Sequence, residues 1–365
     1  MKKVIFALAA VVALAACSKE QTVVMPEGNA IGFNTFVDKA TRSVNDPSLT
    51  SSTLADFAVF GYVEGAVLFD GTRVAKVGTD DAISNSDLKN TEWKYAGTQY
   101  WIAGANYNFN AVAPYSGNWA VVKKDADNNV VTDASQTTIL FTNNGTTDLL
   151  YATTPAEGKV SGNTAVEFNF RHVLSKVKFS FENGYNATNA TIKVKDIVIT
   201  NPHKTATAVL TGETAWIGLA TANGFTLNFG MATDAEATTD ANENVEVAYA
   251  YGATYESQNE RFLIPSATEY EYVVTFTVEL YINGTQIDVD KNTEGVQGYN
   301  HTAKVTFAPA AGNAYDIKTV ITPKNIDPNN EQEPIEFTVA TLPGWGTTNN
   351  EEADGDYDPT PEQNN

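Results

Sequence analysis

The chain has 365 residues, of which 42% are hydrophobic and 11% aromatic, and its formal net charge is -21. This length exceeds what one hydrophobic core usually organises, so we expect two domains of roughly 150 residues each, and the apolar content excludes a disordered chain. The acidity disfavours nucleic acid and anionic membrane surfaces as partners, because their phosphates would repel the chain.

The N-terminus predicts export. Lys2 and Lys3 precede a run of small or apolar residues at 4–16, which is typical of a secretory signal and too short to span a bilayer. Residues 14–17, Leu-Ala-Ala-Cys, match the bacterial lipobox, in which the thiol of Cys17 takes up diacylglycerol. Acylation would explain one unpaired thiol in an exported protein. The alternative is an ordinary signal peptide with an incidental cysteine. Removing the leader takes away two lysines and no acids, so the net charge goes from -21 to -23.

Residues 17–29 form a polar tether, and the first strand is predicted directly after it. Residues 31–37, Ile-Gly-Phe-Asn-Thr-Phe-Val, read as a short strand whose apolar side chains are Ile31, Phe33 and Phe36 or Val37. The polar residues that follow, including Arg42 and Ser43, predict an exposed loop. Residues 57–62 are apolar on both faces and predict an interior strand.

Aromatic residues recur between positions 93 and 115. Trp93, Tyr95, Tyr100 and Trp101 have the types that form sugar-stacking platforms, but their strand-like spacing in an apolar region favours a place in the core. At 107–111 apolar residues alternate with asparagines, which predicts a strand with one wet face. Residues 119–122 predict a hairpin that turns at 125–129 and returns through 130–131.

The buried face of the chain changes in phase near His172. Val166, Phe168 and Phe170 occupy even positions, whereas Val177, Phe179 and Phe181 occupy odd ones. Because strand side chains repeat every two residues, this change requires a bulge, a bend or a transfer to a second sheet. We interpret it as the joint between two β domains.

Strand patterns then recur every 10 to 20 residues, and none shows a sustained helical period. The strongest alternation lies at 270–280, followed by an Asn283–Gly284 hairpin turn into Ile287 and Val289. Further strands are predicted at 192–199, 245–251, 261–265, 303–307, 315–321 and 335–339. We therefore predict an all-β fold of two antiparallel β-sandwiches in series, at 30–169 and 170–345, with a disordered acidic tail at 346–365.

The residues offer little chemistry. His172 beside Ser175 and Glu167 could be read as a catalytic triad, but a structural histidine at the sandwich joint, bonded to backbone, is the favoured interpretation. Asp288, Asp290 and Asn292 have the spacing of a calcium loop, but Thr293 replaces its glycine and Tyr299 its bidentate acid, which favours a solvated hairpin. We predict no metal, no cofactor and no catalytic residue.

Several motifs together resemble one family. They are W-x-Y at 93–95, Y-W at 100–101, Y-x-F-x-A-x-A-P at 107–114, D-L-L-Y-A at 148–152 and F-x-F-x-H-x-L-x-K-V-x-F at 168–179. They resemble the Bacteroidales fimbrillins, the lipoprotein precursors of fimbriae, and the resemblance implies transthyretin-like sandwiches. It also implies a surface location, since Ser-Lys-Glu after Cys17 looks like the signal that sends lipoproteins of these bacteria to the outer surface.

The resemblance implies a route of assembly. Fimbrillins are clipped by an arginine-specific protease in the loop after their first strand and then polymerise by strand exchange. By this match, cleavage falls between Arg42 and Ser43 and releases a strand that carries Ile31, Phe33, Phe36 and Val37. The other reading of Arg42 is an ordinary surface arginine.

Implied partners are other fimbrial subunits, the outer membrane through the lipid on Cys17, and a host or bacterial surface receptor. In stalk subunits the C-terminal region supplies the donor strand, and here only residues 335–342 are apolar enough, so stalk, anchor and tip roles stay open. The rival functions are a surface glycan-binding lipoprotein that never polymerises and a hydrolase with a β-sandwich accessory domain.

Overall fold

The structure is a computed structural model that describes residues 30–37, 47–79, 88, 92–122, 137–158, 165–210, 214–233, 248–287, 298–326, 333–343 and 345. The described residues from 33 to 172 form nine strands. These are β1 (Phe33–Val37), β2 (Asp56–Val63), β3 (Ala66–Lys76), β4 (Trp93–Tyr95), β5 (Asn106–Ala113), β6 (Trp119–Val121), β7 (Thr137–Thr142), β8 (Leu150–Glu157) and β9 (Val166–His172).

The described residues from 175 to 342 form fourteen more strands and one short helix. These are β10 (Ser175–Asn183), β11 (Ala190–Ile199), β12 (His203–Leu210), β13 (Thr214–Thr221), β14 (Leu227–Gly230), β15 (Ala232–Thr233), β16 (Tyr249–Ala250), β17 (Thr254–Ser257), β18 (Arg261–Leu263), β19 (Tyr270–Ile282), β20 (Thr285–Gln286), β21 (Tyr299–Phe307), β22 (Ala314–Ile321), α1 (Pro323–Ile326) and β23 (Thr338–Leu342). The all-β prediction is confirmed, and no helix among these residues is long and apolar enough to cross a membrane.

The first sheet has seven strands in the order β1-β9-β8-β5-β2-β3-β4. All seven contribute side chains to one core, and the two edges of the sheet approach each other: Ala30 forms a β-bridge with Tyr100, five residues after β4. The sheet therefore curls around its own core. The first pair, β1 with β9, is parallel, whereas the other pairs of this sheet are antiparallel.

A four-stranded sheet, β13-β12-β7-β6, packs on the outside of the curled sheet. Ala58, Phe60 and Val112 point away from the first core and meet Ile139 and Phe141 of β7 in a separate apolar cluster. This sheet joins strands from both sides of residue 170, because β7 pairs with β12 over residues 137–142 and 205–210.

The remaining strands form two six-stranded sheets that face each other across the largest core. One contains β10, β15, β17, β18, β22 and β23, and the other contains β11, β14, β16, β19, β20 and β21. The pair β10 and β22 is parallel, so the antiparallel pattern has two exceptions in the described chain. Parallel partners need a long connection, and β10 and β22 are 130 residues apart in the sequence.

The change of phase near His172 is a transfer between sheets. β9 ends at His172 in the seven-stranded sheet, and β10 begins at Ser175 in a sheet of the second sandwich. The two residues between them, Val173 and Leu174, are buried in the cluster beneath the four-stranded sheet.

One local prediction is confirmed at the turn between β19 and β20. Asn283 and Gly284 both have positive φ, 49° and 77°, as a two-residue hairpin turn requires.

Other local predictions are corrected. The strand predicted at 107–111 does not have one solvent-exposed face throughout, because Asn110 is buried and accepts a hydrogen bond from the Tyr151 hydroxyl at 2.9 Å. The strand predicted from Ile335 begins only at Thr338. The predicted hairpin turn at 125–129 and its return at 130–131 lie outside the described residues, and the strand that pairs with β6 is β7 at 137–142. Val289 and residues 1–29, 245–247 and 346–365 also lie outside the described part.

Candidate assembly site around the first strand

Among the described strands, β1 lies at the edge of the seven-stranded sheet and pairs only with β9. The register is parallel from Phe33 opposite Val166 to Val37 opposite Phe170. Backbone bonds extend the attachment at its start, where Ile31 donates to the Gln99 carbonyl and Gly32 accepts from Val166, both at 2.8 Å. Within the described residues, β1 therefore has a strand ladder on one side only, while the start of the segment is also held by main-chain contacts to Gln99 and Tyr100.

The inward side chains of this segment are part of the first core. Ile31 and Phe33 are fully buried and Val37 is nearly so. The Phe33 ring stacks on Phe168 at 5.7 Å and 15°. Its other ring neighbours, at centroid distances of 5.6 to 6.3 Å, are Phe57, Phe69, Tyr95 and Phe109. Phe33 therefore occupies the centre of an aromatic cluster built by five other strands.

Phe36 corrects the predicted set of buried residues. Its side chain is 53% exposed, whereas Val37 is buried. The reason is the strand period, because Phe33 and Val37 are four residues apart and share the inner face while Phe36 falls on the outer one. Of the two residues left open by the sequence, Val37 is the inward one.

Tyr95 anchors the start of this segment. Its hydroxyl donates to the Ile31 carbonyl at 2.8 Å and accepts from the Gln99 amide at 3.2 Å. Burial raises the pKa of Tyr95 to about 12, against the opposing effect of the Gln99 amide, so the phenol keeps its proton at physiological pH. The neutral phenol is the form that can donate to Ile31.

Cys17, Arg42 and Ser43 lie outside the described residues. The chain is described again from Pro47, and Leu49 there donates its backbone N–H to Asp148 Oδ2 at 2.9 Å. The segment that follows the predicted cleavage loop is therefore held near the start of β8, and its Ser51 Oγ also accepts a hydrogen bond from the Val37 N–H of β1 at 2.9 Å.

A cluster of buried residues that was not predicted from the sequence lies next to the Leu49–Asp148 hydrogen bond. We call it the junction cluster: Ser48, Asp148, His172, Lys176, Glu260 and Trp345. His172 Nδ1 is 2.8 Å from Asp148 Oδ2, and the Trp345 ring stacks on the His172 ring at 4.5 Å. Lys176 Nζ is 3.0 Å from Glu260 Oε2 and 5.4 Å from the Trp345 ring centroid. Charges this deeply buried are tolerated because they are paired.

The sequence contained only part of the signal for the junction cluster. His172 lies at an inward position of an alternating strand, which indicates burial, and it was expected to bond to backbone; the observed partner is the Asp148 carboxylate. Asp148, Glu260 and Trp345 are far apart in the sequence, so no spacing pattern could bring them together.

The residues considered above for a catalytic triad, a calcium loop and a sugar-stacking platform do not form such sites in the described structure. Ser175 Oγ donates to the Ala310 carbonyl at 2.7 Å, and Glu167 points to the exposed side of β9, so they form no triad with His172. Tyr299 is a core residue, and residues 288–297 lie outside the described part. Within the described ranges no cluster of three His, Cys, Asp or Glu could hold a metal ion. Trp93, Tyr95 and Trp101 are buried, which confirms their place in the core.

An open cleft of about 860 Å³ lies on the second sandwich. It runs between the last residues of β22 and the segment 333–338, and its floor comes from β10 and β17. Most of the residues that line it carry a hydroxyl, carboxylate or amide group, and their carbon atoms also contribute to the surface: Ser180, Glu182, Thr254, Lys318, Thr319, Val320, Thr322, Asn325, Glu333, Pro334, Glu336 and Thr338. Such a surface can form many hydrogen bonds but offers no aromatic stacking platform.

Comparison with known proteins gives one family. A family model described as fimbrillin-like matches residues 41–341. No curated protein matches the chain. Among solved structures, a fimbrial protein from Bacteroides vulgatus ATCC 8482 is 14% identical, with a TM-score of 0.47 and coverage of 86% of this chain and 99% of that one. The fimbrial anchor protein Mfa2 from Porphyromonas gingivalis is also 14% identical, with a TM-score of 0.34 and coverage of 87% and 98%.

Proposed function

The chain belongs to the fimbrillin-like family, and from that premise we propose that it is a non-enzymatic structural subunit of a surface fimbrium that supports cell adhesion. In this proposal it is exported as a lipoprotein acylated on Cys17 and has two domains, at 30–169 and 170–345. A protease then cuts between Arg42 and Ser43, and the cut subunit polymerises by donor-strand exchange.

The observation that carries the proposal is the position of β1. It is the first described strand, it lies at a sheet edge, and it is followed by the segment that contains Arg42. A cut at Arg42 would leave β1 attached to the rest of the subunit only through non-covalent contacts. The strand could then leave without unthreading any other part of the chain.

The energetics favour replacement of the lost strand. Burying an apolar side chain of this size is worth roughly 1.5 to 3 kcal/mol, so Ile31, Phe33 and Val37 together contribute about 5 to 9 kcal/mol. This is comparable to the whole stability of a domain. A groove emptied of these side chains would expose the aromatic rings around Phe33 and one side of β9. A strand from another subunit would restore both, with backbone bonds for affinity and alternate side chains for register.

Strand β23 supplies the best donor in the described chain. It pairs only with β22, it lies at a sheet edge, and its residues are half-buried or exposed. Together with the buried Ile335 it gives the apolar segment 335–342 predicted from the sequence. Releasing this edge strand would cost the second sandwich less than releasing any of its central strands.

The test is cleavage of the purified chain with an arginine-specific protease, followed by unheated denaturing gels. Arg73 pairs with Asp56 at 2.7 Å and Arg171 and Arg261 lie within strands, so we expect Arg42 to be cut first. Wild-type protein should give a ladder, and the matched control Arg42→Lys, which keeps the charge but not the cleavage site, should stay monomeric. Complete cleavage at Arg42 without any ladder would exclude strand exchange.

A second candidate function is glycan binding by a subunit that does not polymerise, and the polar cleft beside β22 favours it. Its volume of about 860 Å³ lies within the range of small-ligand sites, and hydroxyl, carboxylate and amide groups match the hydroxyls of a sugar. In the same protease experiment this function predicts unchanged monomers that still bind sugar. Loss of sugar binding on Glu182→Ala or Lys318→Ala, in a folded protein, would place the ligand in the cleft.

A further inference from the structure

Within its described strands, the outer side of the four-stranded sheet carries no charged side chain. Ala120 lies opposite Leu140, Leu140 opposite Thr207, and Thr207 opposite Ile217, so one row of side chains crosses all four strands. A second row joins Thr138, Val209 and Ala215. Thr138 is buried, so we call the other six side chains of these two rows the neutral face: Ala120, Leu140, Thr207, Val209, Ala215 and Ile217.

The neutral face is unusual in so acidic a chain. Strands β6, β7, β12 and β13 contain one charged residue, Lys204, and its ammonium is occupied by the Asn143 carbonyl at 2.7 Å and the Phe225 ring at 4.1 Å. The outer side of the β10 and β22 sheet, by contrast, carries the ion pairs Lys178–Glu256 and Lys318–Asp316. In a chain whose formal net charge is -21, a sheet face without charge needs an explanation.

Exposed aliphatic side chains stand in the centre of this face. Leu140 is 42% exposed and Ile217 is 40% exposed, and they flank Thr207 in the same row. The edge strand β13, Thr-Ala-Trp-Ile-Gly-Leu-Ala-Thr, has none of the lysines, acids or prolines that usually protect a sheet edge. Exposed apolar patches of this kind mark interaction surfaces.

We infer that the neutral face docks against the neutral face of a second copy of this chain. Over the rest of their surfaces two copies repel each other, so they approach at least electrostatic cost where neither carries charge. A sheet face of threonine and aliphatic side chains can pack face to face on a two-fold copy of itself, about 10 Å away. A strongly charged partner would find no counter-charge here.

The size of the face predicts a weak contact. Four strands about 4.8 Å apart and about five residues of 3.4 Å give roughly 300 Å² per copy. The pair buries about 600 Å², which is below the roughly 1,000 Å² of a stable interface. We therefore expect dissociation constants between about 10 μM and 1 mM for isolated chains. Repetition along a polymer would multiply the contact into lateral association of filaments; this last step rests on the proposed function, whereas the pairwise contact does not.

The experiment is sedimentation equilibrium of the purified chain over a range of protein and NaCl concentrations. Wild-type protein should self-associate reversibly, and more strongly as salt screens the repulsion between copies. The double variants Leu140→Lys with Ile217→Lys, and Leu140→Glu with Ile217→Glu, should each associate at least about tenfold more weakly. A mixture of the two should associate again, because opposite charges then face each other.

The matched control is Val67→Lys with Val77→Lys, which places the same two charges on valines that are 63% and 57% exposed in and directly after β3. It should associate like the wild type, and unfolding curves should show that all variants are folded. A wild-type chain that stays monomeric up to about 1 mM, or double variants that associate like the wild type, would overturn the inference. A chain that gives no ladder after arginine-specific cleavage but still associates through this face would refute strand exchange alone.

Discussion

The indole Nε1 of Trp345 donates a hydrogen bond to Ser48 Oγ at 2.9 Å, although 297 residues separate them in the sequence. Ser48 lies shortly after the segment that follows β1, and Trp345 lies shortly after β23. The segment that follows β1 and the segment that follows β23, the proposed donor, are therefore joined at one buried point. At this point the Trp345 ring also stacks on the His172 ring and makes a cation–π contact with the Lys176 ammonium.

Trp345→Ala should destabilise the protein by about 3 to 5 kcal/mol, because it removes a large buried ring and leaves a cavity. Trp345→Phe keeps a ring over His172 but loses the bond to Ser48, so we expect a loss of only about 1 to 2 kcal/mol. Urea unfolding of the three proteins measures both differences. If Trp345→Ala cost less than about 1 kcal/mol, the indole would not be holding the two segments together.

Phe33 and Phe36 offer a matched test on one strand. Phe33→Ala should cost about 3 to 5 kcal/mol because the ring is fully buried among other rings. Phe36→Ala should change stability by less than about 0.5 kcal/mol because the side chain is 53% exposed. Chemical unfolding of both variants is the measurement, and equal losses would contradict the position assigned to β1.

The Lys176–Glu260 pair should show the asymmetry of buried charges. Glu260→Ala leaves a buried ammonium without its carboxylate and should destabilise by about 3 to 5 kcal/mol. Replacing both residues, as Lys176→Met with Glu260→Leu, removes the charge and keeps apolar volume, so we expect a much smaller loss. Denaturation of the single and double variants separates the two cases. A double variant as unstable as Glu260→Ala would show that the pair itself, rather than the unpaired charge, matters.

His301 should make stability depend on mildly acidic pH. Burial lowers its pKa from 6.5 to about 4, so the folded protein keeps the imidazole neutral while the unfolded chain takes up a proton. The contribution is fully present above about pH 6.5 and is lost as the pH falls towards 4. Allowing for partial exposure of the ring, we expect a loss of about 1 to 2 kcal/mol.

The measurement is the free energy of unfolding at pH 7.5 and 4.5 for wild type and His301→Phe, which keeps a ring against Phe276. Carboxylates and His203, whose pKa burial also lowers, titrate in both proteins and cancel in the comparison. The wild type should lose more stability than the variant over this interval. Identical pH dependence in the two proteins would mean that His301 does not carry the effect.

Much of the fold could be predicted because its strands obey local rules. Residues 57–62 are apolar on both faces and form the interior strand β2, and the alternation at 270–280 forms β19. Which side chains of a strand face the core was harder to predict. The sequence left open whether Phe36 or Val37 faces inward, and the register of β1 with β9 decides it. Asn110 was misassigned because its partner, the Tyr151 hydroxyl, comes from another strand.

The candidate site was predictable only in part, for the same reason. The short apolar run at 31–37 marked β1, but nothing local indicated that five other strands would place rings around Phe33. The junction cluster and the neutral face both depend on which strands become neighbours. Neither follows from patterns within a single segment, because their residues are brought together only by sheet order.

Strand polarity gives the proposed exchange a direction. β1 runs parallel to β9, and parallel pairing is slightly less stable per residue than antiparallel pairing. In the proposed exchange, an incoming strand would not be tied by the connectivity that imposes this orientation on β1, so it could pair with β9 in the antiparallel direction. The proposed polymer would then contain the more stable of the two pairings, which would favour assembly after cleavage while the uncut subunit stays folded.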